Sequence, residues 1–132
     1  MHFTIEQQLP SLNDVINENR KHAQKGARIK REIEETIGLY IRCARYRGDI
    51  RPISNPVIVC IEWHEKTKRR DADNIQSSQK FILDALQKAG IIINDSRKYV
   101  INIYHEIIDD DSDYVVVYFL DPAEAQRWRK DT

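Results

Sequence analysis

The sequence predicts a single α+β domain in which a mixed β-sheet is covered by helices. Three observations predict it. Apolar residues recur at helical spacing over 25–46 and 74–89, while four other segments alternate or run β-branched. The two kinds of segment interleave in the order β-α-β-α-β-β. A length of 132 residues suffices for one continuous core and makes 1–132 one domain.

Residues 1–9 read as a strand with Phe3, Ile5 and Leu9 on one face. Pro10-Ser11-Leu12-Asn13 breaks it and offers Ser11 as a helix N-cap. Helix is expected over 11–22 and 25–46, with an interruption near Gly26. Ile29, Ile33, Ile37 and Ile41 recur every fourth residue and give the second helix its core stripe. Gly48 and Pro52 close that region. The run Val57-Ile58-Val59-Cys60-Ile61-Glu62-Trp63 predicts a well-buried strand. One helix is expected from 74 to 89, stopped by Gly90. Strands over 99–108 and 114–120, joined by the acidic turn 109–113, are expected to form a hairpin, and 122–130 a terminal helix.

Composition narrows the class. About two fifths of the residues are apolar and a third charged, as in ordinary globular domains. No apolar run approaches the roughly 18–20 residues of a membrane helix, and the N-terminus lacks the basic and apolar regions of a signal peptide. Cys43 and Cys60 lie on different elements and read as reduced thiols of a cytoplasmic protein. The formal net charge is zero, which argues against a non-specific polycation binder. The distribution is uneven, however. Arg20, Lys21, Lys25, Arg28, Lys30, Arg31, Arg42, Arg45, Arg47 and Arg51 are basic, as are Lys66, Lys68, Arg69 and Arg70, while acid gathers at 109–113. Such asymmetry fits either a basic face toward phosphate or a merely solvated surface.

The segment that carries chemistry is Arg69-Arg70-Asp71-Ala72-Asp73-Asn74, followed by the 74–89 helix and Ile93-Asn94-Asp95. In an extended chain, residues two apart point the same way, so Asp71 and Asp73 would present two carboxylates together. A hard cation such as Mg²⁺ neutralises that repulsion. On the helix, Ile75, Ile82, Leu86 and Ala89 form the inward stripe; Lys80 and Asp84 project from the opposite side, four apart and able to pair. An amine beside a carboxylate–metal site stabilises charge on a phosphate being cleaved. Simpler readings stand beside these. Asp73 with Gln76 matches a capping box, Lys80 a solvated surface pair, and Asp95 a loop end. His64 and His105 read as structural or surface histidines without a catalytic role.

Taken in order, Asp71-Ala72-Asp73-Asn74, Lys80 with Asp84-Ala85-Leu86, Lys88-Ala89-Gly90-Ile91 and Asn94-Asp95 resemble the signature of the RusA family of Holliday-junction resolvases. Pro10-Ser11-Leu12-Asn13 is similar to that family's proline-serine-asparagine segment. The strong match covers 69–95 and the weaker one 10–13. The resemblance implies a homodimer that nicks two strands symmetrically at a four-way DNA junction. It implies Asp71, Asp73 and Asp95 as catalytic acids and ligands of Mg²⁺ (or Mn²⁺ in its place) and Lys80 as the catalytically important basic residue. It further implies Lys68, Arg69, Arg70, Asn74 and Asn13 as DNA contacts, with no organic cofactor and no membrane. Two departures matter. Ile75–Gln79 place roughly one helical turn more before Lys80 than the best-known members have, and Asn94 stands where many carry Asp.

Two rival functions remain open on sequence: a non-catalytic, structure-selective DNA-binding protein, and a magnesium nuclease for flaps, forks or RNA. The intact acids disfavour the first, since a pure binder gains nothing from carboxylates beside phosphate.

Overall fold

The structure, a computed structural model, describes residues 1–131, with side chains through Trp128. The elements are β1 (His2–Ile5), α1 (Leu12–Lys21), α2 (Ala23–Arg47), β2 (Val57–Glu65), α3 (Ala72–Gln76), α4 (Gln79–Lys88), β3 (Val100–Asp109), β4 (Tyr114–Leu120) and α5 (Pro122–Asp131). The domain is α+β: one four-stranded sheet in the order β1-β4-β2-β3, with helices against it. β4 is antiparallel to β1 and to β2, whereas β3 runs parallel to β2.

β2 holds a central place because both of its faces are apolar enough to bury. Val57, Val59, Ile61 and Trp63 join the main core, together with Ile33, Ile37 and Ile41 of α2 and Phe81, Ile82 and Leu86 of α4. Ile58 and Cys60 point to the other face, where Leu120 and Ala125 make a smaller cluster. Burial there pushes the Cys60 thiol up to about 11.

Three local expectations are corrected. β3 and β4 are not a hairpin, because β2 lies between them and residues 110–113 cross over its C-terminal end. That crossing is tied down. The Asp110 amide donates to the Glu65 carbonyl at 3.1 Å and the Lys66 amide to Asp113 Oδ1 at 2.8 Å. The Asp110 carboxylate also meets His64 Nδ1 and the Tyr114 hydroxyl, each at 2.9 Å.

The helix expected over 74–89 is instead two helices, α3 and α4, divided at Ser77–Ser78. Serine hydroxyls compete with the helical ladder when they find backbone partners elsewhere. Here Ser78 Oγ donates to the Pro10 carbonyl at 2.6 Å, and Ser77 Oγ accepts from the Leu12 amide at 3.0 Å.

The break between the first two helices falls at His22, and Gly26 lies inside α2. A Cβ at Gly26 would stand 2.6 Å from the Asn19 Cα, so this glycine lets α1 and α2 approach. Among the described residues, no helix is long and apolar enough to cross a membrane.

Candidate active site

Glu65 ends β2 on the same face as Val59, Ile61 and Trp63, so a carboxylate enters the core layer. It is only 5% exposed and needs a charged partner there. Arg70 supplies it: Nε donates to Glu65 Oε1 at 3.1 Å and Nη2 to Oε2 at 3.0 Å. The third arm of the guanidinium, Nη1, donates to the Leu9 carbonyl at 2.8 Å. Gln8 Nε2 adds a longer bond to Glu65 Oε1 at 3.3 Å. Arg70 therefore spends its planar fork inside the protein, locking the loop that precedes α3 against the segment after β1. Its neighbours face outward. Arg69 is exposed with no ion pair or hydrogen bond among the described residues, and Lys68 stands 3.6 Å from Asp109 on the surface.

Asp71 takes the N-cap position of α3 in extended conformation (φ −69°, ψ 151°), yet its carboxylate caps nothing. Asp73 lies in the first turn of the helix, so 71–73 is not the extended stretch expected from sequence. The reason is the preference of Asp for helix starts, which draws the chain into α3 at once. Both residues are exposed, and neither carboxylate makes a hydrogen bond or ion pair among the described residues. The capping-box reading of Asp73 is thus not what the structure displays.

The two sequence segments singled out, 10–13 and 69–80, meet in space. Asn13 Nδ2 donates to Asn74 Oδ1 at 2.8 Å, alongside the Leu12–Ser77, Pro10–Ser78 and Leu9–Arg70 bonds. Residues more than sixty positions apart are clasped by four bonds, three of them to backbone groups of 9–12.

On α4, Lys80 points outward as its helical position demands and lies between two acids. Its Nζ is 3.1 Å from Asp84 Oδ1 and 3.6 Å from Asp95 Oδ2. The hydrogen bond to Asp84 is the chief reason its amine is held above the ordinary lysine range. Asp84 in turn sits 4.0 Å from Lys30 of α2. Lys80 thus pairs with Asp84 and Asp95 and with neither Asp71 nor Asp73, the acids from which the added helical turn is expected to set it further. The turn at 94–96 is shaped by Asn94, whose Oδ1 accepts from the Ser96 amide at 2.9 Å.

A cleft of about 510 Å³ opens beside Asp95, lined also by Gln79, Arg97 and His105. The first residue of α4 is fixed by a half-buried relay: Trp63 Nε1 donates to His105 Nδ1 at 2.9 Å, and His105 Nε2 lies 2.8 Å from Gln79 Oε1. Because Trp63 can only donate, Nδ1 is the acceptor and the proton resides on Nε2, facing Gln79. Burial lowers the His105 pKa, consistent with that neutral tautomer.

The donors suit a hard cation, being carboxylate oxygens of which two, Asp71 and Asp73, lack any internal countercharge. They are not gathered into a preformed cage. Among the described residues, no three His, Cys, Asp or Glu side chains are placed to hold a metal ion together.

Sequence reasoning missed the Glu65–Arg70 pair and the Trp63–His105–Gln79 relay. The first had a legible signal: a glutamate on the inward parity of a strand otherwise made of Val59, Ile61 and Trp63, five residues before an arginine. No protein-family model matches this chain, and no curated protein matches it.

Proposed function

We propose that this protein is a magnesium-dependent endodeoxyribonuclease for branched DNA that acts as a homodimer and resolves four-way junctions by paired nicks. The observation that carries the proposal is the placement of Lys80 between Asp84 and Asp95, with the 10–13 segment clasped to 70–78. These are the pieces that the ordered Asp-x-Asp-Asn, Lys, Asp-Ala-Leu and Asn-Asp motif would bring into one site.

Asp71, Asp73 and Asp95, not gathered in the structure, would be drawn together by the Mg²⁺ they hold, and the ion would polarise a phosphate and lower the pKa of a coordinated water. The chain's own parts are as follows. Lys80, released from Asp95, offers a cation to the charge that develops on the phosphate under attack. Asp84 keeps the lysine protonated and aimed. The Glu65–Arg70 pair holds the loop that displays Asp71. Arg69 and Lys68, outside that loop's core, meet the duplex backbone, and Asn13 and Asn74 stand together beside it. A C₂ dimer would present two such sites to the two matching strands of a junction.

The test is incubation of purified protein with a labelled mobile four-way junction and its linear duplex arms, with Mg²⁺ or with EDTA. Symmetric nicks on the junction alone, and only with metal, are expected. Tight binding without nicks would replace the proposal with a binding-only function. Nicking of flaps or linear arms at equal rate would move it to a different nuclease substrate.

A further inference from the structure

α2 and α4 pack side by side, and between them lies a groove of about 580 Å³. Its floor is apolar, built from Ile41 of α2 with Ala85 and Ala89 of α4. Its rim is cationic. Arg31, Arg42 and Arg45 are eleven and three residues apart, which puts all three on one side of α2. Arg31 and Arg42 make no ion pair or hydrogen bond among the described residues, and Arg45 gives one bond of 3.4 Å to the Ala89 carbonyl. Of the acids lining the groove, Glu34 is buried and already neutralised by Lys88 and Lys30. Exposed Glu35 is left, against three arginines.

Gly38 supports the same reading. It sits mid-helix, where glycine is less favourable than alanine by about 1 kcal/mol. A Cβ there would meet nothing within 4 Å, and the residue needs no positive φ. Packing within the protein does not call for this glycine; what its missing side chain leaves is an open groove.

The rim from Arg31 to Arg45 spans roughly 21 Å of helix. The groove also adjoins the candidate active site, since Lys30, next to Arg31, reaches the Asp84 that holds Lys80.

We propose that the α2–α4 groove is a DNA-backbone track. It takes one phosphodiester strand of an arm leading away from the active site, with phosphates on Arg31, Arg42 and Arg45 and deoxyriboses over the Gly38–Ile41–Ala85 floor. The identity of the polyanion as DNA rests on the function proposed above; the groove itself does not.

The test is fluorescence anisotropy with a labelled junction and a labelled duplex, in EDTA, across about 50 to 200 mM salt. Three variants are compared with the unaltered protein. Arg31→Gln/Arg42→Gln is expected to bind about tenfold more weakly and to lower the slope of log affinity against log salt by about 2. Gly38→Leu is expected to fill the floor and weaken binding comparably while melting no lower than the parent. A charge-matched pair outside the groove, Lys98→Gln/Arg127→Gln, is expected to keep the parental slope. An unchanged slope in the arginine pair, or an equal loss in the control pair, overturns the track alone. If the unaltered protein binds neither DNA, the DNA reading fails first and the track with it. Cleavage is not needed for any arm of the experiment.

Discussion

Glu65 and Arg70 are joined by two parallel hydrogen bonds of 3.1 and 3.0 Å, where β2 ends and the loop that leads to Asp71 begins. The arginine that the family resemblance assigns to DNA is, in this arrangement, the counterion of a buried carboxylate. Its loss should therefore be felt first as instability. Arg70→Ala is expected to lower unfolding free energy by about 3 kcal/mol, because it strands a buried charge. Glu65→Gln/Arg70→Gln is expected to cost less than the single change. Urea unfolding of the three proteins checks this; a fully stable Arg70→Ala would show that the pair does not hold the loop.

The Asp73 carboxylate has no hydrogen bond or ion pair among the described residues, so its removal should separate chemistry from folding. Asp73→Asn is expected to leave stability within about 0.5 kcal/mol. Junction cleavage should disappear, with binding kept or tightened. Retained cleavage in a single-turnover assay would remove Asp73 from the metal site.

Lys80 and Asp84 are partly exposed, which limits what their pairing contributes to stability to under about 1 kcal/mol. Catalysis should respond more. Lys80→Gln is expected to slow cleavage by about 100-fold and Asp84→Asn by about tenfold, since the second keeps the amine but loosens its aim. Equal and large losses of melting temperature in both variants would point to a structural role instead.

His105 is expected to make the fold acid-sensitive. Its folded pKa lies below the usual 6.5, owing to burial, so the native state binds fewer protons than the unfolded chain there. The stabilisation is fully present above about 6.5 and is lost as pH falls below it. Thermal melts from about pH 7.5 to 5 should show a steeper decline for the parent than for His105→Gln. Parallel curves would exclude the neutral relay to Gln79.

Ser78 is fully buried, and its hydroxyl donates to the Pro10 carbonyl. Ser78→Ala is expected to cost about 1–2 kcal/mol, since it leaves that carbonyl unsatisfied. Hydrogen exchange should report faster opening around residues 10–13, where the clasp to α3 is made.

What was legible in the sequence was what local periodicity encodes. The isoleucine stripe of α2 and the β-branched run of β2 both put their residues in the core as their spacing demanded. Strand pairing was not legible. Alternation says which face a residue takes and not which strand lies beside it, so β3 and β4 looked like a hairpin although β2 separates them. The division at Ser77–Ser78 escaped for a related reason: the partners that take the two serines out of the helix, Leu12 and Pro10, are more than sixty residues away. At the site, the pairing of Lys80 with Asp84 followed from four-residue spacing, whereas the approach of Asp95 to the same lysine depends on tertiary packing. Arg70 looked like a surface cation because nothing within its own loop shows that Glu65 is buried.

The pairing of β1 with β4 has a consequence for how the molecule comes into being. Residues 2–5 wait for 115–118, almost the entire length of the chain, before they gain a partner strand. Contacts of such sequence separation close late and slow folding. During synthesis, β2 can acquire α2 and α4, but its flank toward β4 stays bare until residues 114–120 emerge. Residues 9–13 can close on 70–78 before that, so it is residues 2–5 that are secured late, once β4 is available.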